Sequence, residues 1–354
     1  MPFAEPAWWY RDRPTPVARL LSPISVVWGA VSVHRFRTGA AFQAALPVVC
    51  IGNLTAGGTG KTPMALLVAD ILRRLGKAPV FLSRGYGGRL RGPHWVEPDR
   101  DLARDVGDEP LLLARSAPVV ICADRAAGAR AISERMGPSA VVVMDDGLQN
   151  GSLAKDIVIA VVDGRRGVGN GLVMPAGPLR APLAFQLGLV DAVIVNTPLG
   201  AGSGDAAPMP ALRHLAPLGD RGLVLAATTS PVGDTSWLRE KPILAYSGIG
   251  APERFFDLLE HLGATLVARQ AFPDHHAFTP GEARALLAMA RDKGAVLCTT
   301  AKDLVRLGGN DADMTTLRAV SRVLPVRTGL APSDLVQLEH LIEGLLAARA
   351  AVRT

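Results

Sequence analysis

The chain has 354 residues, 49% hydrophobic and 20% charged, with 38 basic against 32 acidic side chains and a formal net charge of +6. That length admits one large α/β domain or two smaller ones, and that composition excludes a disordered chain. No stripe of Lys and Arg interleaved with aromatics appears beyond the first forty residues, which excludes a nucleic-acid binder, and nothing in the pattern calls for an obligate protein partner; the mild basic balance suits a phosphate or an acidic membrane surface.

Near the start, Glu5 and Asp12 stand where a secretory leader would be basic, and no small-residue cleavage site follows, so no such leader is expected. Residues 20–33 are uncharged, bounded by Arg19 and by His34, Arg35 and Arg37. A helix of that length rises about 21 Å, short of the roughly 30 Å hydrocarbon core. With Trp8, Trp9 and Tyr10 upstream and Trp28 within, it reads as a helix lying in a membrane interface, the alternative being an ordinary core-packing helix.

From Pro47 the chain alternates short β-branched runs with longer amphipathic ones, the pattern of βαβ units and a parallel sheet. Strands are expected at 47–53, 79–83, 118–123, 140–146, 156–163 and 191–196, with helices over 61–75 and 126–136. Between Thr197 and Asp220 the chain becomes rich in Gly, Ala and Pro, and a strand-turn-helix pattern restarts at 241–250. A further strand is expected at 295–300 and a closing helix over 334–350. This divides the chain into a membrane-associated amphipathic segment (1–40), a nucleotide-binding core (41–215), a linker (216–240) and a smaller C-terminal α/β lobe (241–354). Cys50, Cys122 and Cys298 are dispersed without metal-ligand spacing and read as reduced, buried thiols.

The strongest motif is Thr55-Ala56-Gly57-Gly58-Thr59-Gly60-Lys61-Thr62, directly after a strand and before a helix, as a P-loop requires. The glycines let successive N–H groups point at phosphate oxygens while the helix N-terminus adds its positive end. Lys61 would reach the β- and γ-phosphates of ATP, and Thr62 would offer its hydroxyl to Mg²⁺. Thr55 departs from the strict pattern, which has Gly there. The fold class is therefore α/β, of the P-loop nucleotide-hydrolase type, with a mostly parallel sheet and helices on both faces.

An apolar run ends in Asp145 and Asp146, the place for an acid that holds Mg²⁺ or its water shell, although an acid pair also commonly opens a turn. Asp108 and Glu109 precede Pro110, where a helix would begin. Asp108 is then either an N-cap or a general base that takes a proton from an attacking hydroxyl, and Glu109 joins the metal candidates. Arg84, Arg89, Arg91, Arg125 and Arg180 present forks suited to phosphate, or are solvated surface arginines. Tyr86 is either a wall of the acceptor site or a turn residue.

Six pieces together resemble the tetraacyldisaccharide 4′-kinases of lipid A synthesis: residues 51–63, Leu82-Ser-Arg-Gly-Tyr-Gly-Gly88, Gly107-Asp-Glu-Pro110, Asp145-Asp-Gly-Leu-Gln149, Met174-Pro-Ala-Gly-Pro-Leu-Arg180 and Phe272-Pro-Asp-His-His276. The resemblance implies transfer of the γ-phosphate of ATP to the 4′-hydroxyl of an acylated disaccharide 1-phosphate. It also implies a monotopic enzyme on the cytoplasmic face of the inner membrane. It assigns Asp108 as catalytic base paired with His275, His276 being the alternative, and adds Gln149 and His276 to the substrate candidates. Asn150 stands where a His is usual, Leu148 where a Phe is usual, and Ala301 in Thr300-Ala-Lys-Asp303 where a Glu is usual, so no catalytic claim attaches to that last motif. The rivals are a membrane-associated P-loop ATPase acting as a partner-binding switch, and a GTP switch, for which the Thr300–Asp303 motif has the wrong spacing.

Overall fold

A computed structural model describes residues 5–11, 13–198, 215 and 222–351. The chain first lays down β1 (Val48–Gly52), β2 (Ala78–Ser83), β3 (His94–Trp95), β4 (Val119–Ile121), β5 (Ala140–Asp145), β6 (Ile157–Asp163), β7 (Ala192–Pro198) and β8 (Leu223–Pro231). It then builds β9 (Ile243–Ser247), β10 (Leu266–Ala271), β11 (Val296–Thr299) and β12 (Arg322–Val323), and returns with β13 (Val326–Leu330). Among the described residues these form a nine-stranded sheet, β13-β8-β7-β6-β1-β5-β2-β4-β3, and a four-stranded sheet, β10-β9-β11-β12.

In the large sheet only the edge strands β3 and β13 are antiparallel to their neighbours. Its central strands are continuous apolar runs because helices cover both faces. Val49, Ile51, Phe81, Val143 and Ile159 pack with the helices Lys61–Arg74, Asp108–Ala114 and Pro332–Ala351. Cys50, Leu82, Val142, Met144 and Val158 pack on the other face with Arg125–Arg135 and Leu183–Leu187. The three cysteines are free and buried, and burial pushes the Cys50 and Cys298 thiols up to about 12. The register sets Ile51 of β1 beside Asp145 of β5. The loop leaving β1 therefore starts next to the acidic pair, at the carboxyl ends of the parallel strands, where open α/β sheets bind ligands.

The division of the chain differs from the expected one. The Gly/Ala/Pro-rich stretch 197–220 lies largely outside the described residues, but residues 223–231, assigned to the expected linker, form β8 in register with β7. β13 pairs antiparallel with β8, Val326 opposite Pro231 through Leu330 opposite Ala227, so the small sheet is an insertion between two paired strands. The closing helix likewise belongs to the large unit: Leu338, Ile342 and Leu346 recur every four residues and bury one stripe on the large sheet.

The N-terminal helix, Pro16–Thr38, is 23 residues long, capped by Thr15, whose Oγ1 accepts from Ala18 N–H at 3.3 Å. It outruns the uncharged stretch 20–33 because it continues through Arg35 and Arg37, and by length and composition alone it is long and apolar enough to cross a membrane. One side packs on the body: Ala18, Ser25 and Gly29 are inward, Ser25 Oγ accepts from Ala176 N–H at 2.9 Å, and Phe36 meets Phe185 edge-on at 5.3 Å. The other side leaves Leu20 80%, Val26 71% and Val27 64% exposed.

The placement of the closing helix is testable. Ile342→Ala is expected to lower stability by about 2–5 kcal/mol in urea unfolding of the large unit, and a loss below about 0.5 kcal/mol would mean that the helix does not seal that sheet.

Candidate active site

The loop 55–62 is braced from outside by two side chains and one backbone hydrogen bond. Asn53 Nδ2 donates to Gly57 O at 3.1 Å, Asn196 Nδ2 to Thr59 O at 3.2 Å, and Ala56 N–H to Pro178 O at 2.8 Å. Gly60 has φ 91° and a Cβ there would lie 2.3 Å from Asn196 Nδ2, so glycine is required. The helix Lys61–Arg74 starts at the loop's end, and its first N–H groups have no helical acceptor. Lys61 and Thr62 are both buried within that first turn.

Acid and base converge beside the loop. Lys61 Nζ lies 3.7 Å from Asp146 Oδ2, and Arg180 Nη1 donates to Asp146 Oδ1 at 2.7 Å. Burial works to raise the Asp146 carboxyl, but the charges of Lys61 and Arg180 outweigh it and hold it below its ordinary value. Among the described residues Asp145 Oδ1 is buried without a hydrogen bond. Burial, and then the charges of Glu109 and Asp146, push its carboxyl up to about 7. A buried acid held up by neighbouring acids, with an orphaned oxygen, is short of one cation.

The small unit brings three cationic or protonatable groups against Asp108 and Glu109. His275 Nδ1 lies 3.2 Å from Asp108 Oδ2, Arg306 Nε donates to the same oxygen at 2.9 Å with Nη2 also on it, and Lys302 Nζ lies 2.6 Å from Glu109 Oε1. Burial works to raise Asp108, but the His275 hydrogen bond and then Arg306 and Lys302 hold its carboxyl well below the usual range. The same bond raises His275 above an ordinary histidine, against the effect of burial. His276 turns away, 3.0 Å from Glu282 and stacked on Phe272 at 4.9 Å. Among the described residues the non-glycine residues with left-handed φ are Asp146 (52°) and His275 (56°). Strained backbone of this kind clusters at functional sites.

The remaining expected residues divide. Tyr86 is exposed, with its ring 5.3 Å from His275. Arg84 is exposed, and its charge reaches Arg125. Arg125 is not a solvent-facing arm: it is buried, donating to Cys122 O at 2.8 Å and to Asp145 O at 3.4 Å. Arg89 pairs with Asp105 at 2.5 Å. Gln149 is engaged between Asn53 O (2.8 Å) and Gln186 Oε1 (2.7 Å), and Asn150 caps its own turn through Ser152 N–H at 3.1 Å. Lys302 and Arg306 were missed; the signal was Thr300-Ala-Lys-Asp303, set aside because Ala301 breaks the usual pattern. Ala301 is only the first residue of the helix Ala301–Arg306, capped by Thr300.

A family model described as tetraacyldisaccharide-1-P 4′-kinase matches residues 17–345. The chain is 49% identical to a tetraacyldisaccharide 4′-kinase of Methylobacterium sp. strain 4-46 over 348 residues, covering 98% of each chain. It is 44% identical to that of Nitrobacter winogradskyi, again covering 98% of each. Among solved structures it is similar to LpxK from Aquifex aeolicus in complex with ATP, with TM-score 0.70 and 25% identity, covering 93% of this chain and 99% of that one.

The cluster under the small unit's cations gives a test. Asp303 is fully buried and accepts from Ser247 Oγ (2.9 Å), Gly248 N–H (3.0 Å), Thr300 Oγ1 (2.6 Å) and Arg306 Nη1 (2.8 Å). Asp303→Ala strands those donors, and a loss of about 3–5 kcal/mol is expected in chemical denaturation. Unchanged stability would show that Asp303 does not anchor the cluster.

Proposed function

The chain belongs to the tetraacyldisaccharide-1-phosphate 4′-kinase family, and on that basis we propose that it transfers the γ-phosphate of ATP to the 4′-hydroxyl of an acylated disaccharide 1-phosphate in lipid A synthesis. The observation that carries the mechanism is the contact of Asp108 with His275, 167 residues away in sequence, next to Glu109, whose carboxyl feels the charge of the loop's Lys61. The ATP switch alternative gives that pair no role.

In this reading residues 55–62 wrap the triphosphate of ATP, and Lys61 stabilises charge on the γ-phosphate. Asp108 takes the proton of the attacking 4′-hydroxyl while His275, donating from Nδ1, holds the carboxylate ionised and oriented. Arg180, tied to Asp146, and Tyr86, beside His275, line the acceptor's approach.

The donor set fits Mg²⁺. Thr62 and Asp145 would hold it, with Asp146 and Glu109 adding negative charge nearby. Among the described residues no three His, Cys, Asp or Glu side chains converge to hold a metal by themselves. That suits an ion that keeps water and takes phosphate oxygens alongside one or two carboxylates. When bound, Mg²⁺ neutralises charge on the β- and γ-phosphates.

The lipid acceptor calls for a membrane, and the N-terminal helix supports a place on one. Its packed side runs from Ala18 to Phe36 along the protein body, so it is not free to stand across a bilayer, while its apolar outer side carries Leu20, Ile24, Val27, Trp28 and Val31. We therefore infer a monotopic enzyme whose helix lies in the interface, on the cytoplasmic face of the inner membrane, where ATP is at hand. Only the sugar headgroup then needs to enter the cleft.

Incubation with γ-labelled ATP and a synthetic acylated glucosamine disaccharide 1-phosphate is expected to put label on the 4′-oxygen. ATP hydrolysis that ignores the disaccharide would refute the kinase reading. Asp108→Asn is expected to lower kcat by about 10²–10⁴ with ATP binding kept, and near-normal turnover would reject it as base. Leu20→Glu with Val27→Glu is expected to shift the protein from sedimented membranes to the soluble fraction; unchanged fractionation would remove the helix from the interface.

A further inference from the structure

The carboxylate proposed as base is not symmetric in its surroundings. Asp108 Oδ1 accepts one hydrogen bond, from the N–H of Glu109 at 2.9 Å. Oδ2 accepts from Arg306 Nε at 2.9 Å, from Arg306 Nη2, and from His275 Nδ1 at 3.2 Å. A carboxylate offers about four acceptor sites over two oxygens, so Oδ2 is saturated and the free site is on Oδ1.

Arg306 is itself held. Its Nη1 donates to Gly248 O at 2.5 Å and to Asp303 Oδ1 at 2.8 Å, and both partners sit just beyond or against the end of β9. Only 4% of the Arg306 side chain and 4% of the Asp108 side chain are exposed, so little water competes for either. A planar guanidinium fixed at one edge by a buried acid and a carbonyl, and at the other by Asp108, sets the carboxylate plane as well as its charge. His275 alone leaves that plane free to turn about its own hydrogen bond.

We propose that Arg306 is a positioning residue for phosphoryl transfer: by saturating Oδ2 it makes Oδ1 the atom of Asp108 that accepts the proton of the attacking hydroxyl. This rests on Asp108 acting as base. The acceptor oxygen forms its bond to the γ-phosphorus as the bond to the β,γ-bridging oxygen breaks, ADP leaves with that electron pair, and the hydroxyl proton ends on Oδ1. Arg306 exchanges no proton and touches neither substrate. Without it the two oxygens become interchangeable, and the carboxylate spends part of its time turned from the hydroxyl.

The test uses full-length protein in detergent with ATP and acylated disaccharide 1-phosphate, comparing Arg306→Lys, Arg306→Gly and Asp108→Asn. A lysine nitrogen cannot span Oδ2, Gly248 O and Asp303 Oδ1 together, so Arg306→Lys is expected to lower kcat by about 10²-fold while both KM values stay within about twofold. Added guanidinium ion is expected to raise turnover of Arg306→Gly by about tenfold and to leave Asp108→Asn unchanged, since only the first lacks the donor and keeps the base. Near-wild-type kcat in both Arg306 variants beside an inactive Asp108→Asn would overturn the positioning role and leave the base in place. An active Asp108→Asn would remove the base reading and this inference with it. A parallel loss of kcat, substrate affinity and thermal stability that guanidinium does not restore would make Arg306 a strut between the two units only.

Discussion

Two carboxylates at the first turn of one short helix, Asp108 and Glu109, are compensated by cations delivered from nearly two hundred residues downstream. The rest of the site depends on that charge compensation. Burying an unpaired acid costs several kcal/mol, whereas a buried acid with excellent hydrogen-bonded partners is tolerated. The large and small units are therefore bound to face each other here, and the Arg254–Asp163 pair at the end of β6 adds a second ionic contact between them.

The phosphate side of the cleft has the opposite balance. Lys61 and Arg180 both pair with Asp146, while among the described residues Asp145 Oδ1 is buried without a hydrogen bond, and burial and like charges outweigh the charges of Lys61 and Lys302 on it. A buried acid held up by like charges beside a phosphate cradle is the kind of perturbed group that functional sites favour. The backbone tells the same story. Asp146 and His275, one on each side of the cleft, adopt a conformation that costs most side chains of order 1–2 kcal/mol, and both are held there by their surroundings.

The N-terminal helix packs directly on the unit that carries the phosphate loop. Its inner side is built from small residues, Ala18, Ser25 and Gly29, that let the helix axis approach the body closely; a Cβ on Gly29 would come within 3.3 Å of Pro182. Just upstream, Trp9 Nε1 donates to Pro175 O at 3.0 Å, and Glu5 joins Tyr10 and Arg166 beside Gly57. The apolar outer side and the phosphate loop thus belong to one packed body.

Local order was legible in the amino-acid sequence alone: the phosphate loop between a strand and a helix, the acids ending β5, the apolar runs that became a sheet covered on both faces, and the motifs shared with a kinase family. These are readable because each depends on residues within one turn or one strand, where spacing dictates which atoms meet. Only the tertiary structure decided that β13 and the closing helix return to the large sheet, that Arg125 points inward under Asp145, that His275 rather than His276 meets Asp108, and that Lys302 and Arg306 complete the pair of acids. Those outcomes turn on contacts between segments far apart in the chain, whose partners are selected by burial and charge compensation across a cleft. Neighbouring histidines and scattered arginines carry no local mark of which one a distant carboxylate will reach.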